Sequence, residues 1–125
     1  MTIRLDHTIV PAKDKMASAT FFAEIFGLTA KPGYFAQVRV NDSLTLDFAD
    51  DEEDRRGPGH YAFHVSDAEY EAILERVKAR NMPYGSEPHD HANGRINRRR
   101  GGRGFYFEDP YGHLLEVMTV PETGS

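Results

Sequence analysis

The sequence predicts an α+β fold assembled from two copies of one unit, and two observations carry that expectation. Short alternating or β-branched runs are interrupted twice by amphipathic stretches of helical spacing, in the order β-α-β-β, a charged loop, then β-α-(β)-β-β. Setting His7-Thr-Ile-Val beside His60-Tyr-Ala-Phe brings Asp14 onto Asp67, and setting Leu44-Thr-Leu-Asp47-Phe beside His113-Leu-Leu-Glu116-Val brings Asp47 onto Glu116, so polar positions repeat in both modules. At 125 residues the chain is the size of one domain, with a first module over 1–54 and a second over 58–121.

Each element has a local reason. Ile3 to Val10 is apolar and β-branched and meets Pro11, which suits a strand end. Asp14 is placed to cap a helix carrying Met16, Ala19, Phe22, Ala23 and Phe26, which Gly27 stops. Tyr34 to Val40 alternates and ends at the turn pair Asn41-Asp42. Leu44 to Phe48 follows, with Leu44, Leu46 and Phe48 on one face and Thr45 and Asp47 on the other. His60 to Val65 opens the second module. Ser66 and Glu69 have capping-box spacing ahead of Tyr70, Ile73, Leu74 and Val77, and Asn81 and Pro83 end that helix. Gly104 to Phe107 and His113 to Thr119 bracket a turn at Asp109-Pro110-Tyr111-Gly112.

Composition narrows the function. Hydrophobic residues make up 39% and charged ones 28%, with eight Phe and six Tyr, which is a folding composition. No run of apolar residues is long enough to span a bilayer, and the charged start MTIRLDH argues against a secretory signal. The absence of cysteine removes disulfides, thiolate metal sites and thiol catalysis, and fits a cytoplasmic protein. Fifteen basic against twenty acidic residues disfavour a nucleic-acid binder. Two segments look irregular. The acidic run Asp50 to Asp54 reads as a solvated linker. Glu87 to Gly104, with Arg95, Arg98, Arg99, Arg100 and Arg103 among glycines and prolines, reads as a mobile basic loop. Its arginines, Arg98 and Arg103 above all, could also clamp an anionic substrate.

The chemistry available lies in His7, His60 and Glu116, with Asp47 as a fourth. A single imidazole on such a strand is ordinarily a hydrogen-bonded core histidine, but a lone inward carboxylate is costly to bury unpaired. Two units each presenting one His and one carboxylate would make a two-His, one- or two-carboxylate site suited to Fe, Mn, Ni, Co or Zn, with open positions for water or substrate.

LDHTIV at 5–10, GHYAFHVSD at 59–67 and FYFEDPYGHLLEV at 105–117 resemble the vicinal oxygen chelate superfamily, which holds glyoxalases, extradiol dioxygenases, fosfomycin-modifying thiol transferases and bleomycin resistance proteins. The resemblance covers nearly the whole chain. It implies two βαβββ modules forming a curved mixed sheet, a half-barrel with its helices outside, around a divalent metal. On this resemblance His7, His60 and Glu116 are metal ligands. His60 is favoured over His64, which lies on the same face and could support the site or take its place. Asp47 stands where the lyases have Glu, about 1.5 Å shorter in reach, which counts against the lyase reading. Tyr106 resembles an active-site Tyr of the dioxygenases and fosfomycin enzymes, although it could equally fill the barrel beside Phe105 and Phe107. The strand Leu44 to Phe48 lacks the His that dioxygenases place there, and Ile9 stands where fosfomycin enzymes have a hydroxyl.

The implied activity is a metal-dependent enzyme, of lyase, dioxygenase or thiol-transferase type, whose small-molecule substrate chelates the metal through neighbouring oxygens. Tyr106, His64 or Asp47 would supply acid or base, and Phe63 with other aromatics would line the pocket. The alternative is a non-catalytic small-molecule or antibiotic-binding protein of the same fold. The resemblance further implies a homodimer, in which the metal site is often completed across the two chains and otherwise lies within one.

Overall fold

The computed structural model describes residues 3–51, 53 and 55–122. The chain divides into two compact units, Met1–Pro58 and Gly59–Ser125. Each is a small mixed sheet with one helix, so the α+β expectation holds.

Unit one contains β1 (His7–Ala12), α1 (Lys15–Phe26), β2 (Ala30–Lys31), β3 (Ala36–Arg39) and β4 (Thr45–Asp50). Its strand order is β1-β4-β3-β2, with β1 parallel to β4 and the other pairs antiparallel. A parallel neighbour needs a crossover, and α1 supplies it. Asp14 caps α1 by accepting from the Ala17 N–H at 3.0 Å, and Gly27 closes it in the left-handed region at φ 74°. Leu46, Phe48, Val38 and Ala36 form the buried face of the sheet, with Phe22 of α1 tilted against Phe48 at 6.1 Å. The strand predicted to end at Pro11 continues through it to Ala12. Because β1 is an edge strand, a missing N–H there leaves no ladder bond unmade.

Unit two contains β5 (His60–His64), α2 (Asp67–Ala79), β6 (Gly104–Glu108) and β7 (Leu114–Met118), in the order β5-β7-β6. The capping box is formed in both directions: Ser66 Oγ accepts from the Glu69 N–H at 3.1 Å, and Glu69 Oε1 accepts from the Ser66 N–H at 2.8 Å. Tyr70 of α2 meets Phe105 edge-on at 5.5 Å, and burial pushes its phenol up to about 12. The remaining strand of the unit is reduced to one bridge, Gly85 to Tyr106, with bonds of 3.0 and 2.8 Å. Only glycine fits there, because a Cβ would lie 2.4 Å from the Asp90 carbonyl oxygen.

The turn before β7 is built by Asp109, whose Oδ1 accepts from the N–H groups of Tyr111, Gly112 and His113 at 3.0, 3.0 and 2.8 Å. Burial raises the Asp109 carboxyl, opposed by His113 and by these N–H groups. His113 is fully buried, stacked on Tyr111, and its Nδ1 accepts from the Gly59 N–H at 2.8 Å.

Both irregular segments are more ordered than expected. In the acidic run, Asp50 accepts from the Lys15 N–H, and Asp51 accepts from the N–H groups of Arg55 and Arg56. Glu52 and Asp54 lie outside the described residues. The basic loop is folded rather than loose: Asn97 pairs with Gly104 through two main-chain bonds, and Asn97 Nδ2 donates to the Ser86 carbonyl at 3.0 Å. Arg103 pairs with Asp67 and Glu71 of α2, and Arg99 with Tyr106 of β6 and with Glu87, which is why the segment does not read as a free loop in three dimensions.

Among the described residues, no helix is long and apolar enough to cross a membrane.

Candidate functional site

Sheet register repeats the same polar pattern in both units. In unit one, His7 pairs with Thr45 and Ile9 with Asp47. In unit two, His60 pairs with Leu114 and Ala62 with Glu116. Parallel partners project to the same side, so each unit places one His and one carboxylate, two residues out of register, on the sheet face opposite its helix. The antiparallel neighbour adds a third polar group: Gln37 opposite Asp47, and Tyr106 opposite Glu116.

In unit two these groups touch. His60 Nε2 lies 3.0 Å from Glu116 Oε1, and the His60 and Tyr106 rings are 6.0 Å apart. Arg99 Nη1 donates to the Tyr106 hydroxyl at 2.6 Å, its guanidinium lies 5.5 Å from that ring, and Nη2 pairs with Glu87. Burial raises the Tyr106 phenol first, the Glu116 charge raises it further, and Arg99 acts in the opposite direction. The proton therefore stays on the phenol at neutral pH.

In unit one Asp47 is buried, 6% exposed, and its Oδ1 accepts from Gln37 Nε2 at 3.0 Å. His7 is exposed, with Nδ1 2.8 Å from Asp6 Oδ2. That bond raises the His7 imidazole, with the Asp6 and Asp47 charges adding to it. It also leaves Nε2 for another partner, the arrangement common for metal-binding histidines.

Other expected site residues stand elsewhere. His64 shares the His60 face, and its Nε2 donates to the Thr119 carbonyl at 3.1 Å. Alternation turns Phe63 to the helix-facing side of β5. Arg103 pairs with Asp67 and Glu71 of α2 and lies 4.5 Å over the Tyr70 ring. These contacts tie Arg103 to α2. Arg98 is exposed, next to the Arg99–Gly101 turn. Arg99 and Gln37 had no distinguishing mark in the sequence. One arginine among five and one glutamine on a strand gain meaning only from the β3–β4 and β6–β7 pairings.

Among the described residues, no group of three or more His, Cys, Asp or Glu side chains is gathered to hold a metal ion. Each unit offers a pair. The donor chemistry of the pair in unit two fits a cation: adjacent ligands at right angles, each about 2.1 Å from an ion, stand about 3.0 Å apart, and the His60–Glu116 separation is 3.0 Å.

The comparisons agree with this geometry at the level of family. Residues 4–117 match the family model of the Glyoxalase/Bleomycin resistance protein/Dioxygenase superfamily, and the chain belongs to it. Among solved structures, Oxidase ChaP-H2 is 44% identical, with a TM-score of 0.89 and full coverage of both chains. Oxidase ChaP-H1 is 43% identical, with a TM-score of 0.90 over 96% of this chain and 98% of the other. Glutathione transferase FosA of Serratia marcescens is 28% identical over 121 residues, 90% of this chain and 78% of FosA.

Proposed function

We propose that the protein is a metal-dependent oxidase acting on a small molecule with neighbouring oxygen atoms. In this reading His7, His60 and Glu116, with Asp47 as a fourth donor, hold a divalent metal: Fe, Mn, Ni, Co or Zn. Bound there, the ion would polarise the chelating oxygens of the substrate and, if iron or manganese, exchange electrons with it. The observation that carries the reading is the His60–Glu116–Tyr106–Arg99 chain of contacts. It lies in a sequence 44% identical from end to end to Oxidase ChaP-H2.

The chain's own groups have definable tasks. Tyr106 Oη keeps its proton at neutral pH and can donate it to a substrate oxygen, while Arg99 stays within 2.6 Å to stabilise the phenolate left behind. Glu87 anchors Arg99 from the other side. His64 Nδ1 is the candidate base on the same face. A second reading, thiol transfer, is favoured by the match to FosA. A homodimer accompanies either reading, its sites lying within one chain or shared between two.

The test is oxygen uptake with catechol- or quinol-bearing substrates after loading with Fe(II) or Mn(II). Uptake should appear in the parent and fall at least about 100-fold in Glu116→Gln and His60→Ala. Consumption of glutathione without oxygen would favour transfer instead. A melting temperature that responds to organic ligand but to no divalent metal would overturn both in favour of a non-catalytic binding protein.

A further inference from the structure

Unit one carries a cavity of about 560 Å³ that the donor pairs do not account for. It is lined by Leu28 and Thr29 after α1, Lys31 of β2, Gln37 and Arg39 of β3, and Thr45 of β4. Register explains the gathering: Lys31 pairs with Gln37, and Arg39 with Thr45, so these four side chains share the face that bears Asp47 and His7.

Two features set its preference. First, its charged lining is Lys31 and Arg39, with no carboxylate among the lining residues. Gln37 engages the Asp47 carboxylate of the same row. Arg39 is held in place by donating to the Asp42 carbonyl at 2.9 Å and to Thr45 Oγ1 at 3.3 Å. The carbonyl end of α1 at the rim, with no basic residue in its last turn, opposes this with about half a negative charge. Two full positive charges outweigh it.

Second, the cations are not part of the repeat. By the same pairings, unit two has Gly85 where unit one has Lys31, and Glu108 where unit one has Arg39. The donor pair is duplicated; the positive pocket is not.

We infer that this cavity binds the oxyanion group of a small molecule, a carboxylate or a phosphate, between Lys31 and Arg39, with Thr29 and Gln37 as neutral hydrogen-bonding groups. The volume suits a ligand larger than the anion itself, with Leu28 against its apolar part. The inference stands without the metal reading, and the experiment separates the two because it uses metal-free protein and signals from unit one.

The measurement is a heteronuclear NMR titration with inorganic phosphate in one arm and benzoate in the other, and benzamide as the neutral control. Saturable shifts at the amides of Thr29, Lys31 and Arg39 are expected with at least one anion, and the responding arm identifies the oxyanion class. Lys31→Gln and Arg39→Gln should each weaken binding about five- to tenfold. Lys31→Gln is exposed on a two-residue edge strand, so it tests the idea even if Arg39→Gln loosens the neighbouring turn. No saturable shift with either anion, benzamide binding as well as benzoate, or unchanged affinity in Lys31→Gln would each overturn the inference.

Discussion

At the scale of single residues, the informative group is Tyr106. Its hydroxyl is placed between a guanidinium and a carboxylate, so its protonation reports on both. In metal-free protein labelled at tyrosine Cζ, the Tyr106 NMR titration should have a midpoint above the ordinary 10.0. Arg99→Gln should move it higher, because a stabilising positive charge is lost, and Glu116→Gln should move it lower, because a repelling negative charge is lost. The reverse order would disprove the contact scheme. His60 and Glu116 stood out in the sequence through the repeat, and Tyr106 through the family resemblance. Gln37 and Arg99 did not. The offset that sets Asp47 on Glu116 also sets Gln37 on Tyr106, but an amide and a phenol share no chemistry that marks the position; Arg99 lies in the connection over 80–103, whose counterpart over 27–35 is too short to hold an equivalent.

At the scale of elements, both helices could be read from their caps, because a cap is a local event decided by neighbouring residues. The two-residue β2 and the single bridge at Gly85 could not, since neither has a run long enough to alternate. The basic loop was misread for a related reason: its order comes from distant partners. One of those is testable through pH. His91 Nε2 donates to Glu108 at 2.5 Å, and Nδ1 faces the Pro88 carbonyl at 3.0 Å, an arrangement that uses both ring N–H groups of the imidazolium. The Glu108 bond, then the Pro88 bond, raises the His91 imidazole above 6.5. A raised value means that the stabilisation is fully present below the unfolded value and is lost as pH climbs through the folded one. Amide protection across 86–97, corrected for intrinsic exchange, should therefore be greater at pH 6 than at pH 8.5. His91→Gln should flatten that dependence. A profile unchanged by the substitution would remove His91 as the cause.

At the scale of the whole molecule, duplication bears on how the proposed site would be assembled. Each unit presents a His–carboxylate pair, with His64 on the same face in unit two, and zinc-type sites take three or four protein donors. The proposed site would draw a pair from each copy of the repeat, and the copies could belong to one chain or to two. A mixing experiment decides. His7→Ala disables the donor pair of unit one and Glu116→Ala that of unit two. If sites are shared between chains of a dimer, a mixed dimer has one site with both defects and one with neither. Random exchange of equal amounts makes about half the dimers mixed, so about one quarter of the parent's tightly bound metal and activity should return. If each site is built within one chain, every site keeps a defect and nothing returns. Exchange is verified independently by native mass spectrometry of differently tagged chains, which turns a null recovery into evidence against sharing rather than against mixing.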